Sequence, residues 1–174
     1  MSKGKRIPEK INTNNYSETT LTTWGGRKMM VDTMKNILLI EDNPDDVELT
    51  LHAFKRNNIL NPISIFRDGH EALDYLSRTG KYADSQHPDP ALILLDLKLP
   101  KVDGIEILRT IKGSETLKTI PVVILTSSKE EKDVIESYNL SANSYIRKPV
   151  DFDEFVDTIR HLGYYWLLLN EPSK

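Results

Sequence analysis

The chain contains no cysteine among its 174 residues. Disulfide bonds and thiolate metal sites are therefore excluded, and the composition is typical of proteins from a reducing compartment. No apolar run approaches the roughly 18 residues that a membrane-spanning helix requires. The basic residues near the N-terminus are not followed by the apolar segment of a signal peptide. These absences predict a cytoplasmic protein that does not enter a membrane.

An excess of positive charge is also missing. The formal net charge is −3, from 23 basic and 26 acidic residues, so the sequence lacks the basic surface typical of proteins that bind nucleic acid. Hydrophobic residues make up 39% of the chain, which is enough for the core of one domain. The composition therefore favours a single domain whose partners are neither nucleic acids nor lipids.

Apolar periodicity is missing from the first 35 residues, which are rich in Asn, Thr, Ser and Lys. Such a segment buries too little apolar surface to offset its chain entropy, so residues 1–35 are predicted to be a disordered extension. A docking arm around Trp24 is the alternative. A regular pattern runs from residue 36 to about residue 162 and delimits the predicted domain. Residues 163–174 are predicted to extend the last helix and to end in a tail.

Within this domain, short apolar runs alternate five times with segments of helical periodicity. The runs are NILLIE, ISIF, ALILLD, PVVIL and SYIRKP. Because they are almost continuously apolar, they are typical of parallel strands that helices cover on both faces. The pattern predicts an α/β fold with an open parallel sheet and right-handed crossovers.

Polar residues follow the predicted strands. They are Glu41, Asp42, Asp96, Thr126 and Lys148. Ligands of open α/β sheets bind at the carboxyl ends of the strands, so we expect these side chains to converge there. Three crowded carboxylates exceed the single lysine, and a hard cation such as Mg²⁺ would neutralise them. A carboxylate beside such a cation can attack phosphorus, while a hydroxyl and an ammonium neutralise the transferred group.

The segment NPDD after the acidic pair is typical of a helix N-terminus. Asn43 is a good N-cap residue, and Pro44 fits the first helical position. Asp45 and Asp46 favour the positive end of the helix dipole. We therefore predict a structural role for both aspartates.

Four motifs occur in the order and spacing of CheY-type response-regulator receiver domains, which the sequence resembles from residue 36 to about residue 162. They are EDN, LLDLKLP, LTSS and YIRKP, at the first, third, fourth and fifth strands. The resemblance implies a flavodoxin-like, five-stranded sheet in the order 2-1-3-4-5, with helices on both faces. It also implies a two-component response regulator rather than an enzyme. A partner histidine kinase would phosphorylate Asp96, which would switch a protein-interaction surface or pass the phosphoryl group on in a relay.

The resemblance assigns the acidic residues to a Mg²⁺ site. It implies direct bonds from Asp42, Asp96 and the backbone carbonyl of Lys98, and a bond through water from Glu41. Glu41 stands where many receivers have aspartate, and its longer side chain still suits a water-mediated bond. Lys98 is basic where small or amide side chains are common, so its side chain is expected to affect the lifetime of the phosphoryl group.

The resemblance assigns the remaining polar residues to the phosphoryl group and to switching. Thr126 and Lys148 would bind phosphoryl oxygens. Thr126 would also act in the switch together with Tyr145, which occupies the position of the switch aromatic residue. The peptide bond between Lys148 and Pro149 is expected to be cis, which would direct the lysine inward.

A narrower resemblance is to the single-domain regulators that partner cyanobacterial phytochromes and related histidine kinases. It rests on SYNLSANSYIRKPVDFDEF, on the TGKYADSQHPDPA insertion before the third strand and on the tail YYWLLLNEP. Tyr165, Leu168 and Leu169 lie off the apolar stripe that would dock the last helix on the sheet. The stripe comprises Phe152, Phe155, Val156, Ile159, Gly163, Trp166 and Leu167. We predict a homodimer that covers the apolar residues left over, with a tail folded on its own domain as the alternative.

Three other functions share parts of this pattern. A phosphohydrolase of the haloacid-dehalogenase type would need a second acid two residues after its nucleophile, where this chain has Lys98. A flavin-binding electron carrier would need a loop rich in Ser, Thr and Gly after the first strand, where EDNPDD would repel phosphate. The main alternative is an adaptor that works without phosphorylation. The complete acidic set argues against it, because docking alone does not require these groups.

Overall fold

Strands and helices alternate along the chain from residue 37 to residue 163. The computed structural model describes residues 36–127, 131–148, 151–163 and 165–166, and the backbone of residues 23–24 and 27–28. The elements of the domain are β1 (Ile37–Ile40), α1 (Pro44–Arg56), β2 (Ile63–Phe66), α2 (Gly69–Ser77), β3 (Leu92–Leu95), α3 (Gly104–Gly113), β4 (Val122–Thr126), α4 (Glu131–Asn139), β5 (Ser144–Arg147) and α5 (Phe152–Gly163).

The five strands are parallel and lie in the order β2-β1-β3-β4-β5. This is the predicted order 2-1-3-4-5, so the predicted fold class is confirmed. Ile40 pairs with Leu95, and Leu95 pairs in turn with Ile124. The carboxyl ends of the three central strands are therefore nearly level, and the residues that follow them leave the sheet at one edge.

Two apolar layers enclose the sheet, because successive strand residues point to opposite faces. In β1, Leu38 and Ile40 belong to the layer that contains residues of α2 and α3, whereas Ile37 and Leu39 belong to the layer of α1 and α5. All four side chains are at most 1% exposed. Burial on both faces explains why the sequence of this strand is apolar without alternation.

The helices α1 and α3 begin at the carboxyl edge of the sheet with side-chain caps. The side chain of Asn43 accepts a hydrogen bond from the backbone N–H of Asp45 at 2.9 Å, and Pro44 occupies the first position of α1. Asp103 accepts a hydrogen bond from the backbone N–H of Ile105, also at 2.9 Å, at the start of α3. The N-terminal turns of α1 and α3 thus border the same edge as the predicted site.

The insertion between α2 and β3 is anchored by aromatic side chains. Tyr82 ends a 3-10 turn, Gly80–Tyr82, and is buried. Its ring lies edge-on to that of Tyr75, with 5.3 Å between the ring centroids. His87 stacks on Tyr75, with ring centroids 3.7 Å apart. The insertion therefore contributes to the core of the domain.

Most of the predicted N-terminal extension lies outside the described residues. The disorder predicted for it therefore remains a prediction. Thr23–Trp24 and Arg27–Lys28 form a short antiparallel pair, which the sequence analysis did not predict. In the part of the chain that the structure describes, no helix is both long and apolar enough to cross a membrane.

Among its described residues, the last helix follows the predicted stripe with one exception. Phe155 and Ile159 are fully buried, and Trp166 packs against the same apolar layer. Phe152 was expected in this stripe but is 37% exposed, because it is the first residue of the helix and the guanidinium of Arg56, rather than the sheet, lies over its ring at 5.7 Å. The predicted contacts of residues 167–169 lie outside the described residues.

Candidate functional site

Three carboxylates and one ammonium meet at the carboxyl edge of the sheet. The ammonium of Lys148, which follows β5, lies 2.9 Å from Asp96 Oδ2 and 2.7 Å from Asp46 Oδ2, and it also donates a hydrogen bond to Glu41 Oε2. An ammonium has three N–H donors, so each donor of Lys148 has a carboxylate acceptor. The predicted cis bond after Lys148 involves Pro149, which lies outside the described residues.

Burial differs among the members of this cluster. The side chains of Lys148 and Asp96 are each 5% exposed and that of Glu41 is 2% exposed, whereas 28% of the Asp46 side chain is exposed. Water can therefore reach Asp46 but scarcely reaches the other three groups. The cluster is a buried ion pair network with one acidic member at its solvent side.

Donors from separate parts of the fold orient the carboxylate of Asp96. Its Oδ1 accepts a hydrogen bond from the backbone N–H of Lys98 at 3.0 Å, and its Oδ2 accepts one from Lys148. The side chain of Thr126, at the end of β4, is also hydrogen-bonded to Asp96. The backbone N–H of Asp96 donates to the carbonyl of Ile40 at 3.0 Å, which continues the pairing of β3 with β1. Both the backbone and the side chain of Asp96 are therefore fixed.

Burial and hydrogen bonds act in opposite directions on the pKa values of the site. Burial raises the pKa of Glu41 to about 7, and the hydrogen bond from Lys148 offsets only part of this effect. Burial also acts to raise the pKa of Asp96, but hydrogen bonds from Lys148 and Thr126 outweigh it and the pKa is lowered. Burial acts to lower the pKa of Lys148, but its three carboxylate partners raise it. At neutral pH, Asp96 is thus an anion and Lys148 a cation.

The acids that meet in the structure are not those that the sequence analysis grouped. Carboxylate oxygens of Glu41, Asp46 and Asp96 all lie within 4.8 Å of one another, and among the described residues Asp42 is not a member of this group. Asp42 is half-buried at the same edge, and its backbone carbonyl accepts a hydrogen bond from Arg67 at 3.3 Å. Its predicted role as a metal ligand remains a prediction.

Sequence reasoning missed the contact between Asp46 and Lys148. It assigned Asp46 only to the N-terminus of α1, where the residue does lie. The signal that could have revealed the contact is topological. The first turn of α1 begins at the edge where the strands end, so an acid in that turn can reach a lysine that follows β5.

The other predicted site residues border the cluster. Thr126 is fully buried. Tyr145, on the adjacent β5, is half-buried and packs against the apolar layer that contains α3. The ammonium of Lys98 lies 3.5 Å from Asp133 Oδ2 of α4. Thr126 thus contacts Asp96 directly, whereas Tyr145 and the side chain of Lys98 lie at the periphery of the cluster.

The acidic pocket suits a divalent cation. Three carboxylates face one ammonium, and the acidic Asp42 stands beside them in the sequence. Carboxylate and carbonyl oxygens are the ligands that Mg²⁺ and Mn²⁺ prefer. Both the charge and the donor set of the pocket therefore fit such an ion.

The pKa of Glu41 predicts a pH dependence of stability for the metal-free protein. Its folded-state pKa, about 7, exceeds the ordinary value of 4.5, so the folded protein binds this proton more tightly than the unfolded chain. The resulting stabilisation is complete below about pH 4.5 and is lost as the pH rises through about 7. From about pH 5 to about pH 8, we expect wild type to lose on the order of 2 kcal/mol relative to Glu41→Gln.

Urea denaturation of both proteins in EDTA at the two pH values measures this difference. The glutamine variant carries no titrating group at this position and serves as the reference for every other pH effect. Parallel pH profiles for the two proteins would contradict the prediction.

Relatives of known class share this sequence over most of its length. Residues 37–160 match the family of response regulator receiver domains. The chain is 43% identical over 131 residues to the probable methanogenesis regulatory protein FilR2 of Methanothrix harundinacea, which covers 75% of this chain and 83% of that protein. It is also 43% identical over 133 residues to the response regulator Rcp1 of Synechocystis, which covers 76% of this chain and 89% of that protein.

Solved structures show the same fold. The phosphorylated cyanobacterial phytochrome response regulator RcpA matches with a TM-score of 0.74 and 39% identity, over 80% of this chain and 99% of that chain. The Mn²⁺-bound form of Rcp1 matches with a TM-score of 0.73 and 41% identity, over the same shares of both chains. With the family match across the whole sheet and the acidic pocket at its carboxyl edge, the chain belongs to the receiver-domain family and is a two-component response regulator.

Proposed function

We propose that Asp96 is the phosphoacceptor of this response regulator and that a phosphohistidine on a partner histidine kinase is the donor. The observation that supports this role is the orientation of the Asp96 carboxylate by Lys98, Lys148 and Thr126. Its lowered pKa keeps it ionised, as a nucleophile must be. The receiver family implies the histidine kinase partner.

The proposed transfer exchanges one bond to phosphorus for another. An oxygen of Asp96 forms a bond to phosphorus as the phosphorus–nitrogen bond of the phosphohistidine breaks, and the histidine takes up a proton and leaves as neutral imidazole. Lys148 would donate a hydrogen bond to one phosphoryl oxygen, and the hydroxyl of Thr126 to another. Both donors already contact Asp96, so both lie next to the atom that would carry the phosphoryl group.

We propose Mg²⁺ as the cation of the acidic pocket. When bound, it would supply positive charge against the carboxylates and the phosphoryl oxygens. Glu41, Asp42, Asp96 and the backbone carbonyl of Lys98 are the residues that would hold it. The Mn²⁺-bound form of Rcp1, which is 41% identical, supports a divalent ion in this family.

Mg²⁺ is expected to stabilise the fold, because it relieves the repulsion among the carboxylates. By linkage, a hundredfold excess over the dissociation constant adds about 2.7 kcal/mol to the free energy of unfolding. Asp42→Asn should raise the stability of the metal-free protein and remove most of the Mg²⁺ effect. Thermal unfolding of both proteins in EDTA and in Mg²⁺ gives the comparison. A wild-type melting temperature that is the same in EDTA and in Mg²⁺ would count against the metal site.

The output of the protein would be a change of surface rather than a reaction on an outside substrate. Thr126 ends β4, and Tyr145 lies on the neighbouring strand β5, in register with Ile124. A phosphoryl group that attracts the Thr126 hydroxyl would therefore bias the surface formed by these two strands. This surface would contact a downstream protein, or the phosphoryl group would pass on in a relay. A phosphorylation-independent adaptor is the second candidate, and the cytoplasmic location remains a prediction.

The proposed kinase is of the phytochrome type. The support is the 39% identity to RcpA, a cyanobacterial phytochrome response regulator. Incubation of the purified protein with Mg²⁺ and labelled candidate histidine kinases tests the proposal. Transfer of label from a phytochrome-type kinase, and not from an unrelated kinase, is expected. Absence of transfer from every kinase and from small phosphodonors would favour the adaptor.

We further propose a homodimer through the end of α5. Tyr165 is 54% exposed and lies edge-on to Trp166, with ring centroids 4.8 Å apart. Burying such side chains contributes roughly 1.5 to 3 kcal/mol each before association entropy is subtracted. The domain boundaries proposed above place these residues in the 163–174 extension.

Sedimentation tests the dimer. The full chain is expected to dimerise, and a version that ends at Leu162 is expected to be monomeric. The triple variant Trp166→Ala, Leu168→Ala, Leu169→Ala should also be monomeric. Monomers in every case, with and without phosphorylation, would refute the dimer, and a dimer that survives truncation would place the interface elsewhere.

A further inference from the structure

The ion pair between Asp46 and Lys148 joins the first turn of α1 to the end of β5. The two charged groups are 2.7 Å apart, and the pair spans 102 positions of the sequence. Lys148 is nearly inaccessible to solvent, whereas Asp46 is 28% exposed. The resemblance to the receiver family assigned no role to Asp46. In the structure, Asp46 contacts Lys148, the residue that would bind the phosphoryl group in the proposed function.

We propose that Asp46 is a positioning residue that holds the ammonium of Lys148 in the unphosphorylated protein and competes for it with the phosphoryl group on Asp96. This inference rests on the proposed function of Asp96 and Lys148. All three donors of the ammonium are occupied by carboxylates. A phosphoryl oxygen can therefore engage Lys148 fully only as one or more of these hydrogen bonds weakens.

Asp46 is the carboxylate partner that Lys148 can leave at least cost. Glu41 is 2% exposed, and a buried carboxylate that loses its partner bears the full desolvation penalty. Water can replace the ammonium at Asp46, because part of that side chain is exposed. Asp96 itself is the group that is phosphorylated, so the phosphoryl oxygens remain next to Lys148.

The charge of Asp46 gives this competition a definite sign. Its carboxylate repels phosphoryl oxygens, which carry the same charge, and it attracts a divalent cation. Removal of this one charge should therefore strengthen the binding of a phosphoryl-like anion and weaken the binding of Mg²⁺. A residue whose role is only to keep the fold together would weaken both when it is replaced.

The experiment compares the full chain with Asp46→Asn and with the matched control Asp45→Asn. Asp45 lies in the same turn of α1 and has the same charge, but it is exposed and is not among the three carboxylates that bind Lys148. The probes are beryllofluoride, a tetrahedral substitute for the phosphoryl group, in saturating Mg²⁺, and Mg²⁺ alone. Fluorine NMR and calorimetry give the two dissociation constants.

Asp46→Asn is expected to bind beryllofluoride roughly three- to tenfold more tightly than wild type and Mg²⁺ more weakly by a similar factor. Asp45→Asn should stay within about twofold of wild type for both probes, because solvent and salt screen its charge. Asp46→Glu, which restores the charge, should return both constants toward wild type.

Unchanged constants in Asp46→Asn, or weaker binding of both probes, would overturn the inference. Urea denaturation verifies that the variants are folded, and Asp46→Ser is the replacement if the amide is not tolerated.

Failure of the proposed function would give a different result. Wild type would then bind no beryllofluoride, or Asp96→Asn would bind it as tightly as wild type does.

Discussion

Asp96→Asn is expected to abolish phosphorylation of the protein by acetyl phosphate in Mg²⁺. The amide has nearly the shape of the carboxylate but lacks the anionic oxygen that attacks phosphorus. Lys148 keeps Glu41 and Asp46 as partners in this variant, so the site should remain folded. Intact-mass measurement detects the addition of one phosphoryl group in wild type and none in the variant.

Asp45→Asn is the matched control for this result. It removes one carboxylate at the same edge of the sheet, at an exposed residue of the first turn of α1, and it should be phosphorylated like wild type. Full labelling of Asp96→Asn under the same conditions would contradict the assignment of the phosphoacceptor. Loss of labelling in both variants would mean that the total charge of this edge, rather than one nucleophile, controls the reaction.

The α/β class of the fold was predictable from its hydrophobic pattern, and the strand order was implied by the resemblance to receiver domains. The four residues of β3 are fully buried, so the strand is apolar at every position, as is typical of a parallel sheet covered on both faces. The positions of Asp96 and Thr126 followed directly, because each stands at or just beyond the end of such a strand. Periodicity and strand ends were sufficient for these residues.

The contacts between elements were less predictable. The sequence places Asp46 in a helix, but which way the first turn of α1 faces depends on how that helix docks on the sheet. Phe152 follows the apolar period of α5, yet the period does not reveal that this side chain stays partly exposed and that Arg56 lies over its ring. Both differences concern the ends of helices, where packing partners are set by the tertiary structure.

The close approach of α3 to the loop that carries Asp96 could likewise not be predicted from the sequence. The DG pair of residues 103–104 reads as an ordinary helix start. In the structure, the backbone N–H of Gly104 donates to the carbonyl of Leu97 at 3.1 Å. A Cβ atom at Gly104 would lie 2.4 Å from the carbonyl oxygen of Asp96 and 2.5 Å from Leu97 Cα. The backbone of Asp96 and Leu97 therefore packs directly against this glycine.

Gly104→Ala is expected to lower the free energy of unfolding by about 3 kcal/mol, because the added methyl group overlaps backbone atoms that cannot rotate away. The displaced loop should also carry Asp96 away from its donors and slow phosphorylation by acetyl phosphate. Gly113→Ala, at the other end of α3, is the matched control. Nothing lies within 4 Å of a Cβ atom there, so this change should stabilise the helix by about 0.5 kcal/mol. Urea denaturation gives both values, and a Gly104→Ala protein as stable as Gly113→Ala would show that the loop does not rest on α3 as described.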